Sequence, residues 1–363
     1  MTDPSTGSGQ APSTGSGQAF KIAVVGAGFA ARVVQVPSYR ACNAPIAAVA
    51  DLDTARAEKL AADFGIAKVY GDWREMIAAE KPDIVSVCLP NALHRDVTIA
   101  ALEAGAHVLC EKPLATSVAE AHEMFDAARK AGRVLMAGQH LRYEASVRAI
   151  KRVIDSGALG DIYHTEVDAL RRLGIPTWGA FHQKSASAGG ALYDIGVHVL
   201  DQAMWLIGNP KPATVSAITQ RRFGTRPDIA AIMGNAWDPA KFDVEDFAVA
   251  FVRFEGGTTL VLRASWAAHI EKNHFGIRIL GTEGGATTTP PALYHLRGGV
   301  LADEAFNTLQ PRNTYDQQIR GFLAALRGER ELLVKEEETI NVQRILSAAY
   351  RSAEEGREVP VEE

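Results

Sequence analysis

The sequence has little cysteine, no long apolar segment and no excess of basic residues. Its 363 residues include three cysteines, Cys42, Cys88 and Cys110, in no zinc-binding spacing, so we expect structural thiols in a reducing compartment. No window holds 18 consecutive apolar residues, and we therefore predict no membrane-spanning helix. The 38 basic and 43 acidic residues leave a formal net charge of −5, which disfavours nucleic acid and anionic membranes as partners.

The first 19 residues have almost no apolar side chains. The heptamer PSTGSGQ occurs at residues 4–10 and again at residues 12–18. Such a segment can bury too little apolar surface to offset the entropy lost on ordering, so we predict a disordered tail over residues 1–19. The N-terminus also lacks a basic segment followed by an apolar core, so we expect no secretion signal and a cytoplasmic location.

Short apolar runs alternate with alanine-rich helical stretches between residues 20 and 143. The runs lie at residues 21–26, 46–50, 84–89, 107–110 and 134–137. This alternation is typical of βαβ units, in which helices cover both faces of a parallel sheet. We therefore predict an α/β domain with a parallel sheet over residues 20–143.

Strand-like segments dominate residues 144–363, after a helix near residues 145–156. Residues 247–254 and 258–266 flank Glu255-Gly256-Gly257, which indicates a hairpin in a large, mostly antiparallel open sheet. Both alternating faces of 247–254 are largely apolar, so we expect one face to pack on helices and the other on a second subunit. The last two predicted helices, near 316–327 and 340–355, can pack back on the first domain.

The first apolar run leads directly into GAGFAA at residues 26–31, a G-x-G-x-x-A pattern. Gly26 permits the tight turn from strand to helix, and Gly28 lets the backbone approach a pyrophosphate without a Cβ in the way. The N-terminus of the following helix supplies N–H donors and a partial positive charge. With a strand before it and a helix after it, the pattern predicts a dinucleotide site.

Asp51 ends the second apolar run and lies 23 residues after Gly28, close to the spacing of about 20 for a ribose-binding acid. A carboxylate there accepts the ribose hydroxyls of NAD and repels the extra phosphate of NADP, so we predict NAD as the cofactor. NADP stays open because Arg56 lies one turn further on. The alternative is that Asp51 only caps the next helix, as Asp53 can.

Two more predicted strand ends carry polar residues. The fourth strand ends at Leu89-Pro90-Asn91 and the fifth at Glu111-Lys112-Pro113. Ligands of open parallel sheets lie at the carboxyl ends of the strands, and Pro113 biases Lys112 towards an extended conformation. The alternative for Lys112 is a surface lysine in a loop.

Residues 189–201 read GGALYDIGVHVLD, and their pattern indicates a glycine loop that enters a helix. Asp194 and His198 are four residues apart and would share one helix face. An imidazole titrates near neutral pH, which suits removal of a proton from a hydroxyl group. The alternative is a structural Asp–His pair.

This ordered set of motifs resembles the glucose–fructose oxidoreductase/inositol dehydrogenase/MocA (Gfo/Idh/MocA) family, from about residue 20 to residue 361. The resemblance extends to residues 90–94, 281–285 and 352–356. It implies an N-terminal Rossmann dinucleotide-binding domain over residues 20–143 and a second α/β domain over residues 144–363. It also implies a homodimer or homotetramer formed through the second sheet.

The activity that the resemblance implies is hydride transfer between NAD and a carbon bearing a hydroxyl on a sugar, glycoside or polyol. His198 would take the hydroxyl proton, and Lys112 would bridge the substrate hydroxyl and the nicotinamide ribose. Asp194 would hold a substrate hydroxyl or tune the other two groups, and no metal is required. The predicted cofactor-lining residues are Gly26, Gly28, Phe29, Ala30, Asp51, Leu52, Pro90, Asn91, His94, Glu111 and Lys112.

Three positions depart from the usual family pattern: Ala31, Ala188 and Gln35, the last standing where many members have histidine. Residues 171–184 form a candidate substrate segment, with Arg171, Trp178 and His182 as candidate contacts. Two other functions remain alternatives: an NAD-dependent glycosidase that oxidises its substrate transiently, and a non-catalytic regulator that binds dinucleotide. The identity of the sugar and the physiological direction stay open.

Overall fold

Two β-sheets organise the chain in the computed structural model, which describes residues 19–306, 310 and 312–362. The predicted tail over residues 1–19 lies outside the described residues, except for Ala19. Over the ranges that are described, no helix is both long and apolar enough to cross a bilayer.

The first sheet is built from short strands joined by helices. Its strands are β1 (Ile22–Val25), β2 (Ile46–Ala50), β3 (Lys68–Tyr70), β4 (Ile84–Val87), β5 (His107–Cys110) and β6 (Leu135–Ala137). Its helices are α1 (Val36–Ala41), α2 (Thr54–Phe64), α3 (Trp73–Glu80), α4 (His94–Glu103) and α5 (Val118–Ala131). A π-helical segment, Ala30–Gln35, leads into α1.

The strand order is β3-β2-β1-β4-β5-β6, and every pairing is parallel. All residues of β1, β4 and β5 are buried because helices cover both faces of the sheet. The order reverses at β1 and β4, and an open sheet binds its ligand in the crevice outside the carboxyl ends of such a strand pair. The predicted Rossmann architecture is confirmed.

Within the described part of the chain, the second sheet has nine strands. They are β7 (Ile162–Leu170), β8 (Pro212–Gln220), β9 (Phe247–Phe254), β10 (Thr259–Ser265), β11 (His274–Gly281), β12 (Gly284–Thr288), β13 (Pro291–Arg297), β14 (Val300–Ala305) and β15 (Val359–Pro360). The helices of this part are α6 (Ala145–Asp155), α7 (Lys184–Ser187), α8 (Val197–Leu206), α9 (Pro227–Ile232), α10 (Thr314–Leu326) and α11 (Glu336–Glu355).

The strand order of this sheet is β14-β13-β12-β11-β7-β10-β9-β8-β15. All neighbours are antiparallel except β7 and β10, so the predicted mostly antiparallel sheet is confirmed. The predicted hairpin joins β9 to β10, and its turn places Gly256 and Gly257 at φ +87° and +93°, where glycine is favoured.

The two faces of the second sheet differ in burial. In β9, Ala248, Ala250 and Val252 point into the core, where they are almost fully buried. The alternate residues of β9 are only partly buried, and Ile218 of the neighbouring β8 is 52% exposed. The outer face therefore presents apolar surface on the single chain.

The last two long helices join the two halves. Ile319 and Phe322 of α10 are fully buried in the core beneath the first sheet, whereas Ile345 of α11 is buried in the core of the second. At the junction the fully buried Arg142 pairs with Asp201 of α8 and with Glu338 of α11. The segment that follows β6 is thus held against α8 and α11.

Candidate active site

The glycine fingerprint forms the turn between β1 and the π-helical segment. Gly26 has φ +96°, and a Cβ at this position would lie 2.3 Å from the Cys88 carbonyl oxygen. A Cβ on Gly28 would meet nothing within 4 Å. Gly26 therefore serves the fold, while Gly28 borders open space that can admit a pyrophosphate close to the backbone.

Asp51 is hydrogen-bonded to the glycine loop. Its Oδ2 accepts a hydrogen bond from the Ala27 N–H at 2.7 Å, and its Oδ1 accepts one from the Asp53 N–H at 2.9 Å. The capping alternative is wrong, because the side chain that caps α2 belongs to Asp53, which accepts from the Arg56 N–H. Leu52, which follows Asp51, is 88% exposed.

The turn after β4 contains Pro90 and Asn91. The Asn91 Nδ2 donates to the Ser187 carbonyl at 2.7 Å, so this turn contacts the second domain. The structure corrects the expectation for His94, whose ring is fully buried. Both of its ring nitrogens lie 2.9 Å from carbonyl oxygens, those of Leu89 and Pro113, so the ring joins two strand ends and has no nitrogen left for a cofactor.

The turn after β5 carries the two charged residues of Glu-Lys-Pro. The buried Gln35 amide donates to Glu111, and burial raises the pKa of this carboxyl. Lys112 precedes a cis peptide bond to Pro113, and its Nζ donates to the Asp194 carbonyl at 2.8 Å and to Asp194 Oδ1 at 3.1 Å. The alternative of a surface lysine is wrong, because the Lys112 side chain is only 14% exposed.

Both carboxylate oxygens of Asp194 have partners. Besides the contact of Oδ1 with Lys112, Oδ2 accepts a hydrogen bond from Trp266 Nε1 at 2.9 Å. The helix that carries Asp194 is not regular: a π-helical segment, Leu192–Gly196, precedes α8 and places Asp194 and His198 on either side of a π-to-α junction. Such π segments recur at functional sites.

A buried carboxylate holds the start of this helix. Glu245 accepts hydrogen bonds from the Gly190 and Leu192 N–H groups, each at 2.9 Å, and from the Tyr350 hydroxyl at 2.8 Å. A Cβ on Gly190 would lie 1.8 Å from the Glu245 carbonyl oxygen, which explains the glycine at this position. The loop that precedes Asp194 is therefore positioned by a residue outside the motif.

His198 lies beside the ion pair that Lys112 forms with Asp194. Among the described residues, its buried Nδ1 has no hydrogen-bond partner. Desolvation, followed by the nearby charges of Lys112 and Arg171, lowers its pKa well below the usual value. The imidazole is therefore neutral at pH 7 and can accept a proton. The alternative of a satisfied Asp–His pair is wrong, because the partners of Asp194 are Lys112 and Trp266.

The sequence analysis missed His140, a neighbour of His198, and Tyr315, which stacks on His140. His140 meets the His198 ring edge to face with ring centroids 4.9 Å apart, and Tyr315 stacks on His140 at 3.9 Å. Desolvation and the charge of Lys112 lower the pKa of His140 to about 3, while desolvation, Glu111 and Asp194 raise that of Tyr315 to about 12. Neither residue belongs to a motif, so no local signal marks them.

The three candidate contacts of the substrate segment have different surroundings. The Arg171 Nη1 donates to the Gly174 carbonyl at 2.7 Å, within the segment. Burial lowers the pKa of His182, whose Nδ1 is unpaired within residues 19–306, 310 and 312–362. Trp178 stacks on Phe29 of the fingerprint loop. In the same part of the chain, no three His, Cys, Asp or Glu side chains form a group that could hold a metal ion.

Comparison with known sequences identifies relatives over most of the chain. A family model described as an oxidoreductase family with an NAD-binding Rossmann fold matches residues 20–139. A second model, described as the GFO/IDH/MocA C-terminal domain, matches residues 147–287. The D-glucoside 3-dehydrogenase of Escherichia coli K12 is 36% identical over 341 residues, which cover 93% of this chain and 97% of that protein.

Solved structures agree with these matches. A levoglucosan dehydrogenase in complex with NADH superposes with a TM-score of 0.83 at 25% identity, over 95% of this chain and 100% of that one. The aldose-aldose oxidoreductase of Caulobacter crescentus, complexed with glycerol, gives a TM-score of 0.78 at 27% identity, over 94% and 100% of the two chains. The chain belongs to the Gfo/Idh/MocA family of oxidoreductases, and its first domain is the NAD-binding Rossmann fold of that family.

Proposed function

We propose that this protein oxidises a secondary hydroxyl of a glycoside with NAD, and that carbon 3 of a D-glucoside is the first substrate to test. The observation that carries the proposal is the contact between Lys112 and Asp194 beside the unpaired nitrogen of His198. It joins an ammonium, a carboxylate and a neutral base at the crevice of the Rossmann sheet. The 36% identity with the D-glucoside 3-dehydrogenase of Escherichia coli K12 supports this substrate class.

The residues at the crevice fit a dinucleotide. The open space at Gly28 suits a pyrophosphate, and the partly buried carboxylate of Asp51 suits the ribose hydroxyls. Phe29, Ala30, Leu52, Pro90, Asn91, Glu111 and Lys112 complete the proposed cofactor-lining set. When bound, NAD supplies the acceptor for the hydride that leaves the hydroxyl-bearing carbon. Arg56 Nη1 lies 3.8 Å from Asp51 Oδ2, so NADP belongs in the same assay.

His198 is the proposed general base. Its lowered pKa keeps the ring neutral near pH 7, so it can take the hydroxyl proton as the carbonyl forms. His140 supports the ring from its edge, at a centroid distance of 4.9 Å. Two nearby cations, Lys112 and Arg171, disfavour the imidazolium and so help to keep the ring in its neutral form.

Lys112 is the proposed electrostatic stabiliser. Asp194 holds its ammonium through a carbonyl oxygen and Oδ1, which leaves one of the three N–H groups for the substrate oxygen. A fixed positive charge at this point lowers the energy of the developing alkoxide. Because Trp266 donates a hydrogen bond to the other carboxylate oxygen of Asp194, this geometry favours a positioning role for Asp194 over direct contact with the sugar.

The test is a panel of methyl glucosides, free aldoses and inositols, each assayed with NAD and with NADP by the absorbance of the reduced cofactor. We expect the fastest reduction of NAD with glucosides, and a 3-keto product in the NMR spectrum. Release of NADH in step with product would also separate this activity from a glycosidase that retains its cofactor. The proposal fails if no member of the panel reduces either cofactor.

The outer face of the second sheet is the proposed oligomer interface, which a measurement of mass in solution will test. Phe247, Val249 and Phe251 alternate on this face of β9, next to the exposed Ile218. Apolar surface of this kind favours association into a homodimer or homotetramer. The three cysteines are free, which fits the cytoplasm as the proposed location.

A further inference from the structure

Trp178 belongs to the second domain but lies against the cofactor loop of the first. Its indole stacks on the Phe29 ring, with centroids 4.7 Å apart and planes 22° from parallel. Phe29 directly follows Gly28, the glycine that borders open space. The stack therefore joins the candidate substrate segment to the loop that a Rossmann fold uses for the dinucleotide phosphates.

A second contact joins the same stretch of chain to the first domain. Asn91, just after β4, donates through Nδ2 to the Ser187 carbonyl at 2.7 Å. The fingerprint follows β1, and β1 pairs with β4, so the two contacts lie at the carboxyl ends of neighbouring strands. The chain from Trp178 to Ser187 thus spans the crevice in which an open α/β sheet binds its ligand.

The two contacts differ in how readily they open. Phe29 is 48% exposed and Trp178 is 41% exposed, so their stack is partly in solvent. Ser187, by contrast, is buried, and its hydroxyl is also bonded to the Phe181 and Gln183 carbonyls. We therefore expect the Trp178 end of the span to open while the Ser187 end stays anchored.

We propose that Trp178 is a cofactor-retaining residue: its stack on Phe29 closes the span 178–187 across the dinucleotide groove and opens before the cofactor leaves. The inference rests on the proposed function, because it concerns the same groove. It moves Trp178 from the expected substrate contacts to the cofactor, and it makes release of NADH depend on a contact between the two domains.

The test measures NADH dissociation without any sugar. The full-length protein with bound NADH is mixed rapidly with excess NAD, and the loss of bound NADH fluorescence gives the rate. We expect Trp178→Ala and Phe29→Ala each to raise the dissociation rate about 2- to 12-fold, which corresponds to the 0.5–1.5 kcal/mol of an aromatic pair. The double variant should be no faster than the faster single variant, and Trp178→Phe should stay within about twofold of the wild type.

Trp73→Ala, on α3, is the matched control and should leave the rate unchanged, and thermal melting checks the fold of every variant. An unchanged rate in Trp178→Ala overturns the proposal, as does a double variant whose effect is the product of the two single effects. Either result leaves the glycoside activity standing. If the rates change as expected but no glycoside reduces NAD, only the proposed substrate class fails.

Discussion

The two walls of the crevice are built in different ways. On the cofactor wall, Gly26, Gly28 and Asp51 come from consecutive strand ends, and a single bond from Ala27 joins the acid to the glycine loop. The other side of the crevice, the substrate wall, carries Asp194 and His198. There, the partners of one catalytic candidate come from far apart in the chain. Asp194, for example, contacts Lys112 and Trp266, which lie on opposite sides of it in the sequence.

The residues proposed to bind the cofactor are close together in the sequence, whereas those proposed for the chemistry come together only where the two domains meet. A Rossmann turn can form from one βαβ unit, because its donors are backbone N–H groups. The proposed base and stabiliser come from different domains, so they need the buried contacts of Arg142, Asp201 and Glu338 at the junction. Substitutions on the two walls should therefore separate turnover from cofactor affinity.

The largest expected effect is loss of turnover without loss of cofactor binding. Because His198 is the proposed base, His198→Ala should lower kcat by about 10²- to 10⁴-fold. Affinity for NADH, measured by fluorescence titration, should change by less than about threefold. His122→Ala, on α5, is the control. Near-normal kcat in His198→Ala would remove the proposed role.

A substitution at Asp51 should act mainly on cofactor binding rather than on turnover. Loss of hydrogen bonds to a charged acceptor costs about 1.5–3 kcal/mol, so Asp51→Ala should weaken NADH binding by a factor of about 10 to 150. Preference for NAD over NADP should fall at the same time. Asp53→Ala is a sharp control, since it removes the cap of α2 and should lower stability without weakening NADH binding. Equal affinities in the two variants would contradict the ribose assignment.

A smaller effect is expected from a substitution at Tyr315, in the first turn of α10. Tyr315 stacks on His140, which contacts His198, and we expect its hydroxyl to form a hydrogen bond with the sugar. One such bond is worth about 0.5–1.5 kcal/mol, so Tyr315→Phe should raise KM about 2- to 12-fold and leave NADH affinity unchanged. Tyr294→Phe, on β13, is the control. An unchanged KM would limit Tyr315 to packing.

The smallest effect concerns pH. A base with an ordinary histidine pKa of about 6.5 would lose about threefold in activity between pH 7 and pH 6. Burial lowers the pKa of His198, so its neutral form persists further into acid and kcat/KM should change less than this over the same interval. A pH–rate profile checks the sign. An acid limb centred at or above pH 6.5 would show that another group controls the rate.

Most of the fold and part of the candidate site could be predicted from the sequence, because these features depend on residues that are close together in the chain. The alternation of apolar runs predicted the parallel sheet, and the glycine pair with its flanking apolar runs predicted the antiparallel hairpin. His94 was assigned to the cofactor, but the structure buries its ring between two strand ends, which a motif cannot reveal. The π-helical segment before α8 was also missed, because side-chain spacing does not report a local change of helix pitch.

The local features could be predicted from the sequence: a dinucleotide turn, an acid after the second strand, and a D-x-x-x-H pattern that is proposed to carry the chemistry. These depend on backbone conformation and short-range spacing, which neighbouring residues control. Which distant groups meet depended on the tertiary structure: Lys112 meets Asp194, His140 lies between His198 and Tyr315, and Trp178 stacks on Phe29. Those contacts join distant segments, and they form only when burial of two separate cores brings the domains together.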